Sequence, residues 1–200
     1  MKNPIQFKTI QATAFISLTL SHLAVGQITN TYEWVHELPV PPPTPVVFGT
    51  WDNGENWALG SAAGTTGVAP SLLEDAARIT NGETASIADS SNDVKVGMIF
   101  VAGAGGSFLS VDADVTVSAR QIRIGSNQVG TVLLNTGEMR LVDQESDAVL
   151  SPELVIGVEG GGQGTLTQTG GILDTSAVNV GNGHPDTRIG AFGADGTYDL

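Results

Sequence analysis

The chain is predicted to be all-β, a right-handed parallel β-helix (β-solenoid), and three observations carry that prediction. A tetrapeptide of form apolar-x-apolar-Gly recurs as VKVG at 94–97, IRIG at 122–125, LVIG at 154–157 and VNVG at 178–181, with a weaker copy, TRIG, at 187–190. A Gly-Thr-apolar element recurs at 130 (GTVLL), 164 (GTLTQ) and 196 (GTYDL), and a Thr-Gly element opens TGEMRLV at 136 and TGGILDT at 169. Like glycines recur at a near-constant spacing. Gly125 to Gly157 is 32 residues, Gly157 to Gly190 is 33, Gly130 to Gly164 is 34 and Gly164 to Gly196 is 32. Self-similarity at a fixed period marks a stacked array, whereas a β-sandwich needs turns about every 8–12 residues.

Along the chain, residues 1–26 read as a signal peptide. Lys2 and Lys8 precede an apolar run from Ala12 to Val25, and Ala24-Val25-Gly26 places small residues where a signal peptidase cuts, before Gln27. Ser17, Thr19, Ser21 and His22 interrupt the run, which is short for a membrane span. The mature chain is therefore expected to be secreted or on the cell surface, with no membrane insertion. Residues 27–48 read as a Pro-rich spacer, because five of the nine prolines fall between Pro39 and Pro45.

Residues 49–92 read as an N-terminal cap. Trp51 and Trp57 bracket a turn-forming Asp-Asn-Gly and are expected to close the end of a core, with a sugar platform as the other possibility. Leu72 and Leu73 are expected to help cover that end. PSLLEDAARI, 70–79, is the one stretch with helical spacing, although it could equally lead into a strand at Arg78-Ile79. Residues 93–200 read as the solenoid repeats. Alternation puts Val94, Val96, Ile122, Ile124, Leu154, Ile156, Val178 and Val180 inward, and Lys95, Arg123 and Asn179 outward.

Composition narrows the function. The 21 acids and 8 bases give a formal net charge of −13, which repels nucleic acid and anionic membranes. With no cysteine, no disulfide holds the fold. The glycine-rich run 156–171 resembles a calcium nonapeptide only superficially. That pattern requires a carboxylate at Leu166 or, shifted by one, at Thr165, so no metal or other cofactor is expected. A phosphate cradle needs a helix after the glycines, and Glu159 would repel the phosphate. The run reads as a corner between strands.

The stretches VIGVEGGGQGTLTQTGGIL and VNVGNGHPDTRIGAFGADGTYDL, with the lead-in from Trp51 to Ile87, resemble the glycine- and threonine-rich repeats of bacterial secreted β-helix proteins. These are the autotransporter passenger-associated strand repeats and exported proteins with PEP-CTERM-type sorting tails. The resemblance covers roughly 51–200 and implies a non-catalytic wall or stalk of a structural or adhesin-like protein. Such a module would meet surface glycans or matrix polymers. No sorting helix follows GTYDL, so the chain is expected to be truncated at its C-terminal side and to self-associate end to end there.

The rival reading is a carbohydrate-active β-helix, a polysaccharide lyase or glycoside hydrolase, with part of its site elsewhere. Its weak candidate catalytic residues are Asp112 and Asp114, paired carboxylates on one expected strand face, and His184 with Asp186, a base and its orienter in one loop. Outward acids and turn chemistry explain both pairs without catalysis. A lyase also wants a basic residue over a groove, and beyond residue 26 there are one Lys and five Arg.

Overall fold

The structure, a computed structural model, describes residues 28–35, 49–60, 67–80, 82–88, 92–112, 114–142, 152–176, 186–191 and 193–200. Residues 1–26, read as a signal peptide, most of the proline segment, Val178, Asn179, Val180 and His184 lie outside the described residues. The described chain is all-β with parallel sheets, plus a single 3-10 turn at Gly54–Asn56.

Two sheets are built by alternation. The larger holds β1 (Asn30–Trp34), β3 (Trp57–Leu59), β4 (Asp75–Ile79), β6 (Val94–Val101), β8 (Thr116–Ser126), β10 (Glu138–Leu141), β11 (Glu153–Glu159), β13 (Ile172–Asp174) and β14 (Asp186–Ile189). The smaller holds β2 (Gly49–Thr50), β5 (Thr84–Ile87), β7 (Ser107–Val111), β9 (Val129–Leu134), β12 (Gln163–Gln168) and β15 (Asp195–Asp199). From β4 onward each pass of the chain adds to the larger sheet and then to the smaller one. Among the described residues every strand pair is parallel except β1 with β3.

Parallel register stacks like on like. Across the larger sheet Ile79, Val101, Ile124, Ile156 and Ile189 form one column, and Ala77, Ile99, Ile122, Leu154 and Thr187 a second. Across the smaller sheet Ala85, Leu109, Val132, Leu166 and Tyr198 form another. The inward side chains of both sheets join in one hydrophobic cluster, so each short strand gains from its neighbours a core it could not bury alone. Val94, Val96, Ile122, Ile124, Leu154 and Ile156 are all buried, Lys95 is exposed, and Arg123 lies half-buried on the outer face beside Glu153.

Register corrects the repeat. Ile99 pairs with Ile122 and Leu109 with Val132, each 23 residues on, whereas Ile122 pairs with Leu154 after 32. The longer spacing is the shorter one plus an insertion. Ala119 pairs with Leu141 and Gln121 with Glu153, so the single residue Arg120 in β8 is matched by residues 142–152 in the next pass. One pass later Asp174 pairs with Arg140 and Asp186 with Glu153, so a similar number of residues again separates the paired positions. VKVG is therefore not a copy of IRIG: Val94 and Val96 pair with Val117 and Ala119, and Ile99 and Val101 take the IRIG position.

The N-terminal part departs from expectation in three places. Asn30–Trp34, read as the start of a spacer, is β1 and pairs in parallel with β4, and β4 and β5 in the supposed cap are ordinary members of the sheets. The helical spacing of 70–79 yields a turn and β4. Both Ser71 and Leu72 donate their backbone N–H to the Asp75 carboxylate, at 3.0 Å each, and the Asp75 N–H donates to the Leu72 carbonyl at 2.9 Å, so a turn closed by a side chain leads into the strand. Leu72 is exposed, whereas Leu73 is half-buried. Trp34, Trp51 and Trp57 instead fill this end, with ring centroids 4.9 and 4.7 Å apart and the Trp57 indole N–H donating to the Trp51 carbonyl at 2.8 Å. All three are buried, so the tryptophan pair presents no sugar platform.

Candidate functional site

The first candidate pair, Asp112 and Asp114, falls at the corner where the chain leaves the smaller sheet. Asp112, Asn135 and Thr169 each follow the last residue of β7, β9 and β12, and each donates its backbone N–H to the preceding pass: Asp112 to Ile87, Asn135 to Val111 and Thr169 to Leu134, at 2.9–3.0 Å. Their side chains then bond to one another along the stack. The Asn135 amide donates to Asp112 Oδ1, the Thr169 hydroxyl donates to Asn135 Oδ1, and the Ser86 hydroxyl reaches Asp112 Oδ2 at 3.5 Å. Asp112 is thus a rung of a polar ladder with both oxygens engaged.

Asp114 does not share a strand face with Asp112. β7 ends at Val111 and β8 begins at Thr116, so the two acids belong to the corner between strands. Asp114 instead lines an open groove of about 480 Å³ that crosses three passes, together with Thr116, Thr136, Glu138 and Ile172. Glu138 had no motif to announce it, because only the parallel register brings TGEMRLV beside Asp114. Arg140 Nη1 lies 4.0 Å from Glu138 Oε1, two residues away on β10.

Of the second candidate pair, His184 lies outside the described residues and only Asp186 is placed. Asp186 opens β14, and its carboxylate accepts from Arg188 Nη2 at 2.5 Å. That hydrogen bond, reinforced by the charge of Asp186, raises the Arg188 guanidinium further above its ordinary pKa. Arg188 also lies 3.7 Å from Glu153, which in turn bonds Arg123 at 3.0 Å. Asp186 therefore belongs to an ion-pair network on the outer face of the larger sheet. Among the described residues no group of three or more His, Asp or Glu side chains is placed to hold a metal ion.

No protein-family model matches the chain, and neither the curated proteins nor the solved structures give a match. The resemblance to secreted strand-repeat proteins rests on the quoted residues alone.

The ladder gives a stability prediction. Asp112→Ala is expected to cost about 1–2 kcal/mol, as the Asn135 amide and Ser86 hydroxyl lose a charged acceptor. Asp114→Ala, with no such bonds, should stay within about 0.5 kcal/mol of wild type. Urea denaturation of the two variants checks this, and equal losses would show that the ladder contributes nothing.

Proposed function

We propose that the two sheets are walls of a right-handed parallel β-helix, and that the chain is a non-catalytic structural or adhesive module of a secreted or cell-surface protein. The observation that carries this reading is the engagement of two of the candidate carboxylates, Asp112 and Asp186. Asp112 is bonded into the corner ladder and Asp186 into the Arg188–Glu153 network, so neither is left as an acid or base facing a substrate. The continuous aliphatic columns supply what a wall needs: a core that lengthens with each pass.

One observation favours a second reading. Asp114 and Glu138 line the same groove, and two carboxylates flanking a glycosidic bond are the usual equipment of a glycoside hydrolase. One experiment separates the readings. Protein recovered from culture medium should begin at or near Gln27 and release no reducing ends from neutral glycans. Release that is abolished by Asp114→Ala or Glu138→Ala would establish the enzyme, and an intact Met1 would remove the exported reading.

A further inference from the structure

Charge is divided between the outer faces of the two sheets. On the larger sheet, outward positions stack Arg78, Phe100, Arg123, Val155 and Arg188 in one column, and Lys95, Ser118, Arg140 and Asp174 in another. Beyond residue 26 these five bases are all the Lys and Arg of the chain except Arg120, which is buried. Their acidic partners Glu33, Glu153 and Glu138 lie beside them.

The smaller sheet is different. Its inward column of Ala85, Leu109, Val132 and Leu166 is fully buried, so the alternate residues face outward. These stack as Thr84, Phe108, Thr131, Thr165 and Thr197, and as Ser86, Ser110, Leu133, Thr167 and Asp199. Seven of the ten carry hydroxyls, none is basic, and the one acid stands on the last strand. Ser86 and Ser110 are buried; Thr131, Leu133, Thr165 and Thr167 are half-exposed and Thr197 is exposed.

A strip whose one charged residue, Asp199, stands on the last strand selects its partner by charge on a chain of net charge −13. A polyanion is repelled by the protein as a whole, and a polycation would find its counter-charges elsewhere on the surface. A neutral hydroxyl-bearing polymer meets neither obstacle. Each threonine offers a hydroxyl that both donates and accepts, and a methyl that packs on the C–H face of a sugar ring. Parallel pairing repeats this pair of groups about every 4.8 Å up the stack. Leu133 and the ring of Phe108 add apolar surface within the same strip. Burying threonines against such a polymer also avoids the desolvation penalty that a charged face would carry.

We propose that the outer face of the smaller sheet, centred on Thr131, Thr165 and Thr197 with Phe108, Leu133 and Thr167, is a docking face for a neutral polysaccharide chain lying across the strands. The proposal rests on the adhesive reading above and names its ligand class and its surface.

The test is depletion of the full chain by insoluble cellulose and chitin, with polygalacturonate gel as the charged comparison, at physiological salt. Wild-type protein should be retained on a neutral matrix and not on polygalacturonate. Thr165→Arg should weaken retention about tenfold or more, while Lys95→Thr on the opposite face should leave it within about twofold. If Thr165→Arg does not melt like wild type, Thr165→Val keeps the β-branched shape, removes only the hydroxyl and should also weaken retention. Absence of binding to both neutral matrices, equal binding to polygalacturonate, or indifference to substitution at Thr165 overturns the proposal. So does a concentration-dependent dimer lost in the Thr165 variant, since the face would then belong to a second copy. Reducing-end release is followed in the same samples. Release with intact Thr165-dependent binding overturns the non-catalytic reading alone, and binding indifferent to Thr165 without release overturns the docking face alone.

Discussion

Gly164→Ala is expected to lower stability by about 3 kcal/mol or more, the larger of two steric effects available in the same glycine run. A Cβ at Gly164 would lie 2.3 Å from the backbone nitrogen of Gly157 and 2.4 Å from the carbonyl oxygen of Ile124. Both are backbone atoms, so no rotamer change relieves the contact. The same geometry repeats along the stack. At Gly130 the obstacles are the Val101 carbonyl at 1.9 Å and the Gly125 nitrogen at 2.7 Å, and at Gly196 they are the Ile156 carbonyl at 2.2 Å and the Gly190 nitrogen at 2.4 Å. The glycine that opens each Gly-Thr element thus sits against the glycine that closes the preceding apolar-x-apolar-Gly element and against the pass before it. Gly161→Ala is the contrast. Gly161 has φ +82°, and nothing lies within 4 Å of the point where an alanine methyl would stand. Only the left-handed backbone is penalised there, by about 1–2 kcal/mol. Urea denaturation should rank Gly164→Ala well below Gly161→Ala. The reverse order would mean that backbone conformation, and not close approach, selects these glycines.

This packing explains how much of the fold could be read from the residues. The inward and outward assignment of 94–96, 122–124 and 154–156 was legible because a period-2 pattern with one buried face leaves a single workable register. The corner role of the glycine run was legible because it lacked both the carboxylates of a calcium loop and the helix of a phosphate site. The repeat length was not. Insertions of similar length in two successive passes mimic a longer period, and only pairing across the sheet shows that Ala119 and Gln121, one residue apart in β8, have partners Leu141 and Glu153 that are far apart in sequence. β1 was hidden for a similar reason. NTYEW carries little apolar alternation of its own, and its partners in β3 and β4 are distant in sequence. The polar ladder has no sequence signature because its members differ in type: Asp112, Asn135 and Thr169 are equivalent by position and share no residue identity. The groove joining Asp114 to Glu138 depends on that same cross-pass register.

Ile124→Ala carries the second large expectation, a loss of about 2–5 kcal/mol with the upper half of that range favoured by the site. The size of such a loss depends on how far neighbours can collapse into the space left behind. Ile124 is fully buried, and its column neighbours Val101 and Ile156 lie on strands hydrogen-bonded to its own on either side. The strand spacing fixed by those bonds keeps Val101 and Ile156 from closing on the gap, so the cavity should persist. Ile189, two passes further along the same column, is 49% exposed, and Ile189→Ala should cost under about 1 kcal/mol. The pair therefore tests the column and not merely the residue type. A lowered urea midpoint with an unchanged denaturant slope would mean that the whole stack feels the cavity as one cooperative unit. In a stack where each pass touches only its neighbours, a reduced slope would instead show that the passes on either side of Ile124 have begun to unfold separately. A loss at Ile124 no larger than at Ile189 would mean that the register carrying Val101, Ile124 and Ile156 in one column is wrong.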